Sequence, residues 1–333
     1  MKFPHRALAL AILAILGLLM LAAAPVRALA APTPAITCRL GAWFVSVHDI
    51  NAAEGTFKAD FWMWSVCPER ELNPLESLEF LNAAETEEGL DATLQRGGKW
   101  WSTRKISGVF RQDFDLQNYP FDRQALEILV EEAVLDERSL RYVADSRNSG
   151  LDPGVKAPGW RLTGFRNTAG VAMHPTTFGD PSLPDGASYY ATLRMEIVAN
   201  RARLGNFVKA TFVLYIAAIL GLMCLALDVV DSELFLGRLA ALGTGVFAVV
   251  LSFLSLEQLI GPHEGLYLLD QLHVVVLALI MLATGWSVLA FRLGNGPVDA
   301  DRVRTWDARV SLGIVAAFVA ANAILIGLAM VQG

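Results

Sequence analysis

The chain has 333 residues, 54% of them hydrophobic and 18% charged, and 27 basic against 33 acidic side chains give a net charge of -6. So apolar a composition, unevenly spread, excludes a greasy globule and points to a membrane protein. The acidic balance, with no basic stripe, argues against nucleic acid as a partner. No nucleophile–base set, metal-ligand spacing or phosphate loop marks an enzyme or a cofactor site.

In chain order, Lys2, His5 and Arg6 precede an apolar stretch, Ala7–Ala24, and Ala28-Leu29-Ala30 supplies the small residues of a cleavage site. Residues 1–30 therefore read as a signal peptide, with a retained first membrane helix as the alternative. Residues 31–203 carry strand patterns separated by turn clusters such as Asn148–Gly154, the mark of an all-β, immunoglobulin-like sandwich exposed outside the membrane. A first strand over about 35–51 and a second over about 55–67 flank the turn Ala52-Ala53-Glu54-Gly55. Cys38 and Cys67 are equidistant from that turn and so can face one another, either as a disulfide or as two reduced, buried thiols. Further strands are expected over 125–130 and 190–197. The stretch from Glu71 to Thr93 reads less clearly, as a loop holding a short helix.

Residues 204–333 contain four apolar runs, about 204–227, 239–256, 272–291 and 310–331. A helix needs about 20 apolar residues to cross a hydrocarbon layer roughly 30 Å thick, so each run is a membrane helix. Lys209 and His273 fall near run starts, where a side chain can reach the interface. Cys224, inside the first run, reads as packing. Arg292, Arg302, Arg304 and Arg309 gather between the third and fourth runs, whereas 257–270 has no Lys or Arg. The positive-inside bias then puts the head and the C-terminus outside the cytoplasm.

The segment from Gly108 to Gln124, with the core Tyr119-Pro120-Phe121-Asp122-Arg123-Gln124, resembles the signature loop of the pentameric ligand-gated ion channels, the Cys-loop receptor family. Gly55–Phe61 with Trp64, and Gly159-Trp160-Arg161-Leu162, resemble two of that family's strands, and the likeness spans about 36–331. Gln112 and Leu126 stand where the loop's bracketing cysteines would be, as in the family's prokaryotic branch. Thr211 or a neighbour replaces a proline of the first membrane helix. Ala199 stands where a basic residue would meet the loop carboxylate, with Arg201 two residues on. The resemblance implies a homopentamer in a bacterial inner membrane: four identical partner subunits, the lipid bilayer, permeant monovalent cations and a small-molecule or proton agonist. It assigns ligand binding to Trp64, Phe80, Glu85, Trp100, Trp101, Tyr189 and Tyr190, and each aromatic among them is as readily sandwich core. It assigns gating to Tyr119, Pro120, Phe121, Asp122, Arg201, Pro262 and His263, with the signature loop pressed on the stretch Leu259–Leu269. A ring cage suits a cationic amine, and His48, His174, His263 and His273 could carry a proton signal.

The second apolar run, taken from Arg238 to Gln258, presents Ala240, Thr244, Phe247, Leu251, Leu254 or Ser255, and Gln258 at steps of three and four, on one helical face. Repeated around an axis, that face lines a pore in which Phe247 and Leu251 form a hydrophobic gate. The bland alternative is that those two pack between helices. Glu233 and Arg238 then sit at the inner mouth and Glu257 at the outer one. The anionic head favours cations and an Arg238 ring would oppose them; the balance expected is cation selectivity. A non-conducting sensor or scaffold of the same architecture is the competing reading.

Overall fold

The computed structural model describes residues 35–183, 186–261 and 265–332. The segment expected to be a signal peptide, Pro262 and His263 lie outside the described residues, as does the side chain of Glu257.

Alternation builds the head. In β2 (Thr56–Cys67), Phe57, Ala59, Phe61, Met63, Ser65 and Cys67 turn inward, while Trp62 and Trp64 lie on the opposite, half-covered face. Its partner β1 (Ile36–Asn51) runs antiparallel to it, pairing Arg39 with Val66 and Phe44 with Phe61. Continued one step, that register sets Cys38 against Cys67, and the two form a disulfide with Cα atoms 4.6 Å apart. The remaining strands are β3 (Leu78–Phe80), β4 (Ala83–Arg96), β5 (Lys99–Arg111), β6 (Arg123–Asp136), β7 (Leu140–Ala144), β8 (Gly150–Leu151), β9 (Trp160–His174) and β10 (Ser188–Arg201).

One sheet has the order β4-β5-β2-β1-β7, with β8 also on β1, and the other β3-β6-β10-β9. Phe44, Phe57, Phe61 and Phe110 from the first join Leu126, Ile128, Leu193 and Met195 from the second in one core. Burying each Phe side chain stabilises the fold by about 1.5–3 kcal/mol. β7 and β8 pair parallel to β1, so the first sheet is mixed, unlike the all-antiparallel sheets of an immunoglobulin domain.

The stretch Glu71–Thr93 is mostly strand. A single turn, α1 (Pro74–Ser77), is capped by Asn73, whose side chain accepts from the Leu75 N–H, and β3 and β4 follow. β4 is an edge strand with nearly every side chain exposed, so it lacks the alternation that advertises a half-buried strand. Its acidic side chains are of the kind that keeps an open edge from pairing with other chains.

Four long helices follow: α2 (Arg203–Met223, extended by a 3-10 turn over Cys224–Ala226), α3 (Ser232–Leu254), α5 (Leu268–Gly294) and α6 (Ala300–Gln332), with a short α4 (Leu256–Ile260) after α3. The spans hold 24, 23, 27 and 33 residues and are apolar enough to cross a membrane. At about 1.5 Å per residue each exceeds the roughly 30 Å hydrocarbon layer. The protein is a multi-pass membrane protein with a β head.

α3 begins six residues before Arg238, the expected start. Asp231 caps it by accepting from the Glu233 and Leu234 N–H groups at 2.9 Å, and Phe235 stacks on Phe291 at 3.9 Å. The expected end is also displaced: Ser255 is the C-cap and Gln258 belongs to α4. Lys209 is exposed, but His273 does not reach an interface. It is 1% exposed, with Nδ1 donating to the Leu269 carbonyl at 2.7 Å and Nε2 against the Ser252 hydroxyl at 2.9 Å.

Candidate functional site

The loop between β5 and β6 meets the helices through a buried ion pair. Arg201, at the end of β10, donates from Nε to Asp122 Oδ1 at 2.7 Å and from Nη2 to Oδ2 at 3.1 Å. Gln124 Nε2 adds a third donor to the same carboxylate at 2.8 Å. The guanidinium is sandwiched, 4.0 Å from the Trp160 ring centre and 4.6 Å from that of Tyr119. A planar cation suits both the carboxylate fork and the ring faces. Burial raises the Tyr119 hydroxyl pKa, with Arg201 opposing.

Pro120 follows Tyr119 through a cis peptide bond, and Phe121 sets its ring 5.5 Å from that of Phe207 in α2. Gln117 accepts from the Leu268 N–H, at the start of α5, at 2.9 Å. A second contact comes from the β1–β2 turn. Gly261 has φ +74°, and a Cβ there would stand 3.1 Å from the Ala53 carbonyl. The left-handed backbone favours glycine there, and the close approach to Ala53 leaves little room for a side chain. The Tyr119–Asp122 corner, Arg201 and the stretch before α5 thus form one junction. Arg201, two residues beyond the expected position of a basic side chain, meets the loop carboxylate.

The residues expected to bind ligand are divided by the structure. Phe80 is half-buried against the core, 6.0 Å from the rings of both Phe61 and Phe110. Trp64 packs over Gly41 and donates from Nε1 to Asp145 at 3.2 Å. Trp100 and Trp101 lie on β5 opposite Cys67 and Val66, with Arg70 over the Trp100 ring at 5.3 Å. Glu85 is exposed on β4, lining a shallow cleft with His48 and Lys58. Tyr189 is exposed, whereas Tyr190 joins His174 and Phe178, 6.0 Å and 6.3 Å away between ring centres.

Sequence reading weighed His174 only as one of four histidines and missed its partner. His174 Nε2 lies 2.8 Å from Glu131 Oε1, while the buried Oε2 of Glu131 has no hydrogen-bond partner among the described residues. The neighbouring Glu132 is fully engaged, by the hydroxyls of Tyr142 at 2.6 Å and Ser77 at 2.9 Å and by two backbone N–H groups. Burial first, and then Glu132, push the Tyr142 hydroxyl pKa far up.

On α3 two faces alternate cleanly. Phe235, Arg238, Leu242, Gly245 and Val249 are buried against their own subunit. Ala240, Thr244, Phe247, Leu251 and Leu254 are exposed, as are Ser255 and Gln258 beyond the helix, with Phe247 at 65%. Thr244 and Ser255 return their hydroxyl protons to the carbonyls of Ala240 and Leu251. Glu233 is exposed at the end of α3 remote from the head.

Arg238, expected at the inner mouth, lies on the opposite face and is fully buried. Its Nη1 and Nη2 donate to the two oxygens of Asp307 at 2.8 and 3.0 Å, and Nη1 also faces the carbonyls of Leu225 and Leu227. Trp286 Nε1 completes the node on Asp307 at 2.8 Å. A cation in an apolar bundle must be paired, and Asp307 lies 69 residues away, beyond the reach of local pattern.

No protein-family model matches the chain, and no curated protein is significantly similar to it. The placement in a Cys-loop branch that lacks the signature-loop cysteines is overturned. The head carries a disulfide, Cys38–Cys67, joining β1 to β2, which argues against a branch defined by missing cysteines. What stands is the architecture: a two-sheet β domain followed by four helices of membrane-crossing length, a generic channel-like arrangement.

Proposed function

We propose that the protein is a cation-conducting channel, formed by several copies around an axis walled by α3 and opened by a stimulus at the head. The observation that carries the reading is the outward face of α3. It bears Thr244, Phe247 and Leu251, is left unpartnered by its own subunit, and has the one buried arginine of the helix on its other side. Five copies, the ring size proposed, would stack Thr244, then Phe247 and Leu251, so that a narrow apolar ring expels water until the helices tilt apart. With Arg238 tied to Asp307, the exposed charges left at the remote end of α3 are the acids Asp231 and Glu233, which attract cations. No covalent chemistry is required.

The head would lie on the periplasmic side of a bacterial inner membrane. Its stimulus is a small amine or a proton at the His174–Glu131 pair, where the free Glu131 oxygen and the rings of Phe178 and Tyr190 suit a cation. Motion would pass through the Asp122–Arg201 junction to α2 and α5. The test is current recording from purified protein in planar bilayers, under a salt gradient and across pH and amine panels. Stimulated, cation-selective current whose reversal potential moves toward zero in Glu233→Gln supports the reading. Five-fold particles that never pass current would instead leave a sensor or scaffold.

A further inference from the structure

A cavity of about 620 Å³ opens where the head meets α2, along the membrane-proximal ends of β9 and β10. That volume falls among those of built small-molecule sites. We propose that it takes the headgroup of an anionic phospholipid, phosphatidylglycerol by its chemistry, drawn from the leaflet on the head's side. The inference rests on the membrane-crossing helices and not on whether they conduct.

Charge selects the occupant. Arg161, Arg201 and Arg203 line the cavity, and no carboxylate does. Arg201 is committed to Asp122. Arg161 and Arg203 are exposed, and their side chains make no ion pair or hydrogen bond among the described residues. A third such arginine stands beside them. The strand register sets Arg161 of β9 opposite Asn200 of β10, and Asn200 opposite Arg123 of β6. Arg123 is exposed and likewise unpaired among the described residues. Residues directly opposite one another share a face, so Arg123 and Arg161 form one row across the membrane end of the sheet, two strand spacings or roughly 10 Å apart. Farther along the same strands the charges are matched, Arg166 with Glu196 and Arg194 with Glu127. The surplus of cations is therefore confined to the cavity and its rim.

Guanidinium forks suit a phosphate. A zwitterionic headgroup would set its ammonium against the same cations. A glycerol headgroup instead brings hydroxyls, and the cavity has an acceptor for them: Asn200 donates from Nδ2 to the Thr163 hydroxyl at 3.3 Å, which leaves its Oδ1 open.

Place selects a lipid over a dissolved anion. The first membrane span begins at Arg203. The cavity therefore lies in the headgroup layer, which adds roughly 5–7 Å to each side of the hydrocarbon. Leu204, Val208 and Phe212 follow Arg203 at steps of four, all exposed. They make one apolar helical face leading from the cavity into the bilayer, a track for an acyl chain.

The test is native mass spectrometry of the full chain in detergent, titrated with dioleoyl phosphatidylglycerol and with dioleoyl phosphatidylcholine, with glycerol 3-phosphate as a competitor that has no acyl chains. The first phosphatidylglycerol bound should be retained several-fold better than phosphatidylcholine, and glycerol 3-phosphate should not displace it. Arg161→Gln/Arg203→Gln should lower that retention several-fold, and Arg161→Lys/Arg203→Lys, which keeps both charges, should restore most of it. Arg302→Gln/Arg309→Gln, which removes two exposed arginines at the other end of the bundle, should leave it unchanged. Equal retention of the two lipids, displacement by glycerol 3-phosphate, or an equal response of the two glutamine variants would each overturn the proposal.

Discussion

Arg201→Met should be the most damaging single change at the junction of head and helices. Methionine fills the place of the arginine stem between Trp160 and Tyr119 but removes two of the three donors to Asp122, leaving Gln124 Nε2. The Arg201 and Asp122 side chains are only 10% and 2% exposed, so water cannot take over. Removing one side of a buried pair costs about 3–5 kcal/mol, because the orphaned charge stays desolvated. For a head of this size each kcal/mol moves Tm by about 2–4 °C, so a drop of roughly 6–20 °C is expected. Asp122→Asn should cost less, since an amide oxygen still accepts from Arg201. The double variant Arg201→Met/Asp122→Leu should recover most of the loss, because replacing both partners of a buried pair by apolar groups is often nearly neutral. Thermal unfolding of the purified protein, followed by near-UV circular dichroism, measures all three. An Arg201→Met protein melting within about 2 °C of the parent, or a double variant no better than the single one, would refute this account of the junction.

Three other outcomes are expected. Phe247→Ala or Leu251→Ala should raise the unstimulated current if those side chains close the pore, and unchanged currents in a conducting parent would remove them from that role. Tyr142 is neutral in the fold and its pKa is raised, so its contribution is fully present below about pH 10 and is lost above it, by about 1.4 kcal/mol per pH unit. Tyr142→Phe should therefore flatten the alkaline decline in stability measured by denaturant titration, leaving a remainder from Tyr119, which shifts the same way; an unaltered slope counts against it. Arg238→Gln should destabilise the bundle by about 3–5 kcal/mol through the uncovered Asp307, with little change in the ion selectivity of whatever assembles. A large selectivity change in recordings would put Arg238 back at the pore.

Local rules were enough for much of this chain and failed in a consistent way. β1 and β2 were legible because their aromatic and β-branched residues alternate around a marked turn, and the cysteine register came with them. The four spans were legible because the bilayer demands one length of apolar helix from each. β4 was not, since an edge strand with both faces in water has no period to read. Arg238, His273 and Glu131 were misread or missed for a deeper reason. Each is a polar group whose environment is set by a partner far along the chain: Asp307, Ser252 and His174 respectively. Read alone, a charge at a helix end belongs to the interface; its burial becomes tolerable only when the fold brings the counter-charge. The same logic separates the two faces of α3. The buried face is defined by what it touches, while the outward face, with Phe247 and Leu251 bare, is left uncovered by its own subunit. In the proposed ring a neighbouring copy would cover that face and set Thr244 on a water-filled axis that the apolar ring closes.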